Sequence, residues 1–319
     1  MTITLEEHFV TESYLKATDA EEASAPPQFQ QLKSQLLDLG EGRIAAMDEA
    51  GIDLQLLSLA ALGVDKLDPS TATSVLHDAN DELAAAVRTY PTRFGGFATL
   101  NLNDPAEAVN ELERCVRTLG FKGAMLNGTV EGEFLDQSRF FPVFEAADAL
   151  GVPIYLHPAP PPKTVQQAYF SGLPGDAGHL LSIAGWGWHA ETGLHILRLI
   201  VSGLFDCLPN LQIVIGHMGE GLPYALARSS QVLARSNPGL KRTVADYFHQ
   251  NVHVTTSGYF TQPPFQCALE VVGIDRLMYS VDYPFSPNTK GRTFLDALTL
   301  SEQDRAKLTH TNAETLFKL

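Results

Sequence analysis

The chain has 319 residues, 45% of them hydrophobic and 18% charged, with a net charge of −15. Such a chain can bury a large core, which excludes general disorder, and its acidic balance argues against nucleic acid or an anionic membrane as partner. No apolar run reaches the roughly 18 residues of a membrane span, the opening MTITLEEHF lacks the basic start of a signal peptide, and Cys115, Cys207 and Cys267 are too scattered for a disulfide frame, so a cytoplasmic protein with reduced thiols is predicted.

Short apolar runs alternate with longer amphipathic stretches along the chain. Thr2–His8 and Leu54–Leu59 read as the first two strands, followed by a helix over Ser70–Thr89 with Pro91 just beyond it. Phe94–Leu100 is the third strand. A helix over Asp104–Leu119 follows, with Asp104 as cap and Pro105 at its first position. Gly123–Asn127, a helix over Arg139–Leu150, and Pro153–His157 come next. The helix Glu191–Leu204, the strand Leu211–His217, the helix Gly221–Ser236, the strand Val252–Ser257, the helix Pro263–Val272 and the strand Arg276–Asp282 complete the pattern. Runs such as IYL, LQIVI and LMYSV suit parallel strands covered on both faces. Eight such units, with no GxGxxG after an early strand, favour an α/β fold of the (β/α)8 TIM-barrel type over an open doubly wound sheet. Two segments interrupt the repeat: Asp19–Asp38 after strand one and Ala159–Ala184 after strand five. Both fall on the side of the barrel where active sites are built, and the whole of 1–319 reads as one domain.

The chemistry-bearing residues sit at strand ends. Glu6 and His8 end strand one, His157 ends strand five, His217 ends strand six and Asp282 ends strand eight. A barrel gathers these ends at one face, and alternation sends Glu6 and His8 the same way while Glu7 points outward. Two carboxylates with two or three imidazoles suit a divalent ion such as zinc or manganese. Trp186, Trp188 and His189 follow the second insertion and could wall an aromatic pocket or simply pack; His195, inside a helix, reads as structural.

The stretches LEEHF (5–9), YLHP (155–158), ETGLHILRLIVSGLFD (191–206), IGHMGEGLPY (215–224), TTSG (255–258), DYPF (282–285) and NAETLFKL (312–319) resemble the amidohydrolase superfamily, specifically its decarboxylase branch and the γ-resorcylate decarboxylase group within it. The resemblance implies Glu6, His8, His157 and Asp282 as ligands of one metal ion, zinc or manganese, since strand four ends in Asn127 and not in a bridging lysine. It implies Asp282, His217 and Glu220 as catalytic residues, Arg228 as a substrate-binding residue, a small aromatic carboxylic acid as substrate, and a homodimer or homotetramer; Trp188, read from the loop after strand five, is the second substrate-binding candidate. The implied reaction is non-oxidative decarboxylation of an ortho-hydroxy aromatic acid. A hydrolase or hydratase on the same scaffold is the alternative, and a non-catalytic metal-binding barrel a third. The sequence departs from the group at Ala61–Gly63, where a proline is common, at Tyr283 and Ser286, and through LPGDAGHLLSIAGWGWH (173–189). These departures surround the expected pocket and leave the ring substituents open.

Overall fold

The computed structural model describes residues 1–18, 27–60, 64, 67–236 and 239–319. Eight parallel strands follow one another around the molecule: β1 (Ile3–Phe9), β2 (Leu54–Leu59), β3 (Phe94–Gly96 and Ala98–Thr99), β4 (Ala124–Asn127), β5 (Ile154–His157), β6 (Ile213–Ile215), β7 (Val252–Thr255) and β8 (Leu277–Met278). Each lies inside or within a residue of its predicted run. β3 breaks at Phe97, whose N–H donates to Leu57 O at 2.9 Å while the next N–H, of Ala98, donates to Gly123 O at 2.9 Å. The strand therefore passes from one neighbour to the other at that residue.

The strand faces sort the side chains into two cores. Ile3, Leu5, Leu56, Phe97, Met125, Tyr155, Val214 and Met278 fill the barrel interior, and the C-terminal helix Asn312–Phe317 plugs it with Ala313 and Phe317. The opposite faces, with residues such as Leu57, Leu126, Leu156 and Ile215, pack beneath the surrounding helices. This two-sided burial is why the strands read as continuous apolar runs.

β1 carries a bulge. Thr4 pairs with Gln55 but Glu7 pairs with Leu57, so β1 spends one residue more than β2 over this stretch. The extra residue shifts the phase of alternation: Ile3 and Leu5 face the interior below it, and Glu6 and His8 face the barrel mouth above it. The bulge also frees the N–H groups of Leu5 and Glu6 from the ladder, and Ser280 Oγ accepts both, at 3.1 and 2.7 Å. His8 N donates to Tyr283 O at 2.7 Å. This seam between β1 and the segment after β8 completes the (β/α)8 barrel.

The helices start where the sequence signals place them. Asp68 and Asp104 cap the helices Pro69–Thr89 and Pro105–Arg114, each accepting from the backbone N–H three residues on. Both insertions are partly helical. Pro27–Leu37 follows β1, while residues 19–26 lie outside the described residues; Lys163–Phe170 and Ala177–Ser182 follow β5. The helix predicted from Glu191 begins earlier, at Gly187. Among the described residues no helix is long and apolar enough to cross a membrane.

Candidate metal centre and its acid–base partners

Glu6 and His8 from β1, His157 at the tip of β5, and Asp282 after β8 bring one ligand atom each to within 4.8 Å of one another. His8 Nε2 lies 3.2 Å from Asp282 Oδ1, and His157 Nε2 lies 3.3 Å from Glu6 Oε1. Glu6 Oε1 and His8 Nε2 are buried and have no hydrogen-bond partner among the described residues. Their other polar atoms are occupied. Ser58 Oγ lies 3.1 Å from His8 Nδ1, which turns Nε2 toward the cluster. Tyr155 Oη donates to Glu6 Oε2, and Thr255 Oγ1, itself 2.8 Å from Ser257 Oγ, sits 2.7 Å from the same hydroxyl. Buried donor atoms left free while their neighbours are held are what a cation site requires.

The electrostatics agree. Burial alone would raise the Glu6 carboxyl, but the imidazoles of His217, His157 and His8 outweigh it and hold it down at about 2. Burial presses His8 and His157 down to about 4. At neutral pH this leaves an ionised carboxylate beside two neutral imidazoles, the protonation states in which these groups bind a metal. Burial and the charge of Glu6 push Asp282 up to about 7.

A second constellation adjoins the first. β6 ends in a left-handed turn, with His217 at φ 51°, Met218 at φ 56°, Gly219 at φ 83° and Glu220 at φ 55°. Asp282 stands at φ 74°. Three of the predicted site residues thus occupy backbone conformations that ordinary side chains avoid, a cost that structures carry at functional positions. The turn folds Glu220 back onto His217, with Nδ1 to Oε1 at 2.7 Å, and leaves His217 Nε2 facing Glu6 Oε1 at 3.7 Å and Asp282 Oδ2 at 4.0 Å. Burial alone would lower His217, but Glu220 and Glu6 outweigh it and raise it to about 10. Gly216 precedes the turn, and a Cβ there would overlap Glu6 Oε2. Close approach, not backbone freedom, requires glycine at this point.

The structure brings Glu6, His8, His157, His217, Glu220 and Asp282 together. Trp188 is half-buried beside them, its Nε1 donating to His189 Nε2 at 3.2 Å. Arg228 stands exposed on the helix Leu222–Leu233, with no hydrogen bond or ion pair among the described residues. His189 belongs to the site more closely than its sequence context suggested. Its Nδ1 lies 2.6 Å from Glu220 Oε2, so the Glu220 carboxylate spans two imidazoles. Tyr155 was also not singled out, although it shares a strand face with His157 at a spacing of two, which was the available signal. Glu7 points away from the cluster as alternation requires, yet it is fully buried against the chain after β8. His195 is structural: its Nε2 accepts from Leu135 N at 2.9 Å.

The sequence profile of the amidohydrolase family matches residues 35–319. The chain belongs to the amidohydrolase family. It is 40% identical to the γ-resorcylate decarboxylase of Polaromonas sp. over 99% of this chain and 98% of that protein. The crystal structure of a dihydroxybenzoic acid decarboxylase from Polaromonas sp., with bound manganese and the inhibitor 2-nitroresorcinol, superposes with a TM-score of 0.91 at 39% identity, covering 100% of this chain and 97% of that one. A 2,6-dihydroxybenzoate decarboxylase complexed with 2,6-dihydroxybenzoate gives a TM-score of 0.91 at 37% identity over 100% and 99% of the two chains. Among its solved relatives this amidohydrolase thus has full-length neighbours that carry a metal ion or an aromatic acid.

Proposed function

We propose that this amidohydrolase is a metal-dependent, non-oxidative decarboxylase of ortho-hydroxybenzoate acids, a carbon–carbon lyase, with 2,6-dihydroxybenzoate as the first substrate to test. The observation that carries the reading is the Glu6–His8–His157–Asp282 cluster, with its free buried atoms on Glu6 and His8, set directly against the His217–Glu220 pair. The mixed carboxylate and imidazole donor set fits a divalent ion, Mn2+ in preference to Zn2+ because the Polaromonas structure holds manganese. When bound, such an ion supplies a fixed positive charge for the substrate's carboxylate and neighbouring hydroxyl.

Glu6, His8, His157 and Asp282 would hold that ion. Asp282 is the proposed proton donor to the ring carbon that bears the carboxylate. The new C–H bond forms there, the C–C bond to the carboxylate breaks, and its electron pair returns to the ring as CO2 leaves. His217, oriented by Glu220, faces the same space and positions the ring hydroxyl; His189 holds the far oxygen of Glu220. Phe285, 47% exposed with its ring 5.5 Å from that of His8, and Trp188 give the ring apolar surface to pack on. Arg228 is the cation assigned to the substrate anion, a need set by the net charge of −15. Exposed Tyr169, Trp186 and Tyr224 are candidates for burial in a homodimer or homotetramer, and three free cysteines suit the cytoplasm.

The test is CO2 release from 2,6-dihydroxybenzoate by Mn2+-loaded protein, beside chelator-treated protein and Asp282→Asn. Release that both controls abolish supports the reading. An inactive protein that still binds Mn2+ tightly moves it to the hydrolase or hydratase.

A further inference from the structure

Glu7 takes no part in the metal cluster, yet its carboxylate is fully buried and fully used. Oε1 accepts from Val281 N at 2.9 Å and from Ser280 Oγ at 3.0 Å; Oε2 accepts from Tyr283 N at 2.9 Å. The two backbone donors flank Asp282, which is held between them at φ 74°. The same stretch is gripped from β1 by His8 N donating to Tyr283 O and by Ser280 Oγ accepting from Leu5 N and Glu6 N. Buried Arg43 donates through Nη2 to His8 O at 2.6 Å and lies over the Tyr283 ring at 5.0 Å, backing the clamp with positive charge.

We infer that Glu7 is a positioning residue for the metal centre: its carboxylate fork across Val281 and Tyr283 fixes Asp282 in the left-handed conformation that aims its carboxylate at His8, Glu6 and His217. One strand then supplies two members of the cluster, Glu6 and His8, and through the intervening residue sets the place of a third. A left-handed aspartate is unfavourable by itself, and the two hydrogen bonds that the Glu7 carboxyl accepts from the flanking N–H groups are among the contacts that hold it, beside Ser286 N donating to Asp282 O at 2.8 Å. A glutamine cannot replace the fork. It offers one oxygen and turns an NH2 group toward the second backbone donor. Aspartate keeps both oxygens but is one methylene short of spanning both donors.

The inference rests on the metal-dependent reading, and its decisive readout is metal binding without turnover. Apoprotein is titrated with MnCl2 and free Mn2+ is followed by its electron paramagnetic resonance signal. Glu7→Gln is expected to bind Mn2+ about 10- to 100-fold more weakly than the parent, and at saturating Mn2+ to lose kcat by about the same factor with KM for 2,6-dihydroxybenzoate little changed. Glu7→Asp is expected to fall between the two. Asn251→Ala is the control for lost stability, because Asn251 donates to Pro209 O and Leu211 O at the opposite ends of the strands. It should lower Tm and leave Mn2+ binding unchanged. If Glu7→Gln binds Mn2+ like the parent and differs only in Tm, Glu7 is merely a seam contact and the inference is wrong. Should Glu7→Gln not fold, parent-like Mn2+ binding by Glu7→Asp overturns it equally. A parent protein that binds Mn2+ but releases no CO2 refutes the decarboxylase reading alone, and the Mn2+ isotherms still decide the role of Glu7.

Discussion

Replacing Tyr155 with phenylalanine removes one oxygen from the floor of the site and almost no volume. That hydroxyl donates to Glu6 Oε2 deep in the barrel, and the hydroxyls of Thr255, with Oγ1 3.4 Å from Oε2, and of Ser257 are the other donors near the carboxylate. Glu6 is ionised, so the lost bond belongs to the charged class, worth about 1.5–3 kcal/mol. Two consequences follow. Apo-protein at neutral pH should be destabilised by about that amount, since a buried carboxylate oxygen loses its closest donor. Mn2+ binding should weaken by about 10- to 100-fold, because Oε1 is aimed at the cluster only while Oε2 is held. Denaturant unfolding of the apo-protein measures the first and MnCl2 titration the second, with Thr255→Val as a milder companion. If Tyr155→Phe unfolds like the parent and binds Mn2+ equally well, the hydroxyl does not orient Glu6, and the account of the centre as a set of held ligands fails at its best-defined contact.

Other expectations bear on separate parts of the structure. Gly216→Ala is compatible with its backbone but places a methyl group on Glu6 Oε2, so Mn2+ binding should be lost while the protein stays folded, as circular dichroism and a metal titration would show. Glu220→Gln removes the charge that orients and protonates His217; kcat should fall by about 10²–10⁴ with Mn2+ affinity retained, measured by CO2 release and metal binding on one preparation. Burial holds His195 down at about 4, against about 6.5 in an unfolded chain, so unfolding takes up a proton between those values. The stability this represents is complete above about pH 6.5 and declines as pH falls toward 4, by at most about 3 kcal/mol. In metal-free protein the stability difference between His195→Gln and the parent should therefore shift in the variant's favour from pH 7 to pH 4.5; a pH-independent difference would contradict the buried, neutral imidazole.

Much of this architecture was legible because burial on both faces leaves a plain mark. Runs such as LQIVI and IYL are short, apolar and bounded by turn residues, and each became a strand with a polar residue at its end. His157, His217 and Asp282 were readable for that reason, with Glu6 and His8 sharing a face. The bulge in β1 was not legible. It inserts a residue without changing composition, and it is what allows Leu5 and Glu6 both to face inward. Glu7 showed a related limit: alternation gives its direction but says nothing about what the chain after β8 brings against it. His189 was obscured by its setting, a glycine- and tryptophan-rich stretch with no period, where its partner Glu220 is distant in sequence and reaches it only through the left-handed turn. The departure at Ala61–Gly63 lies outside the described residues. Tyr283 turns its backbone toward Glu7 and its ring toward Arg43, so at this departure the ring is engaged in the clamp region.

The central claim is that the cluster at the barrel mouth binds a divalent ion and uses it to decarboxylate an ortho-hydroxybenzoate. The most direct test is CO2 release from 2,6-dihydroxybenzoate by apoprotein to which Mn2+ is added stepwise. The account predicts no release without the ion, release that rises to a plateau at one Mn2+ per chain, and none at any Mn2+ level with Asp282→Asn. Release by the metal-free protein, or no release from a protein carrying one Mn2+ per chain, would contradict it.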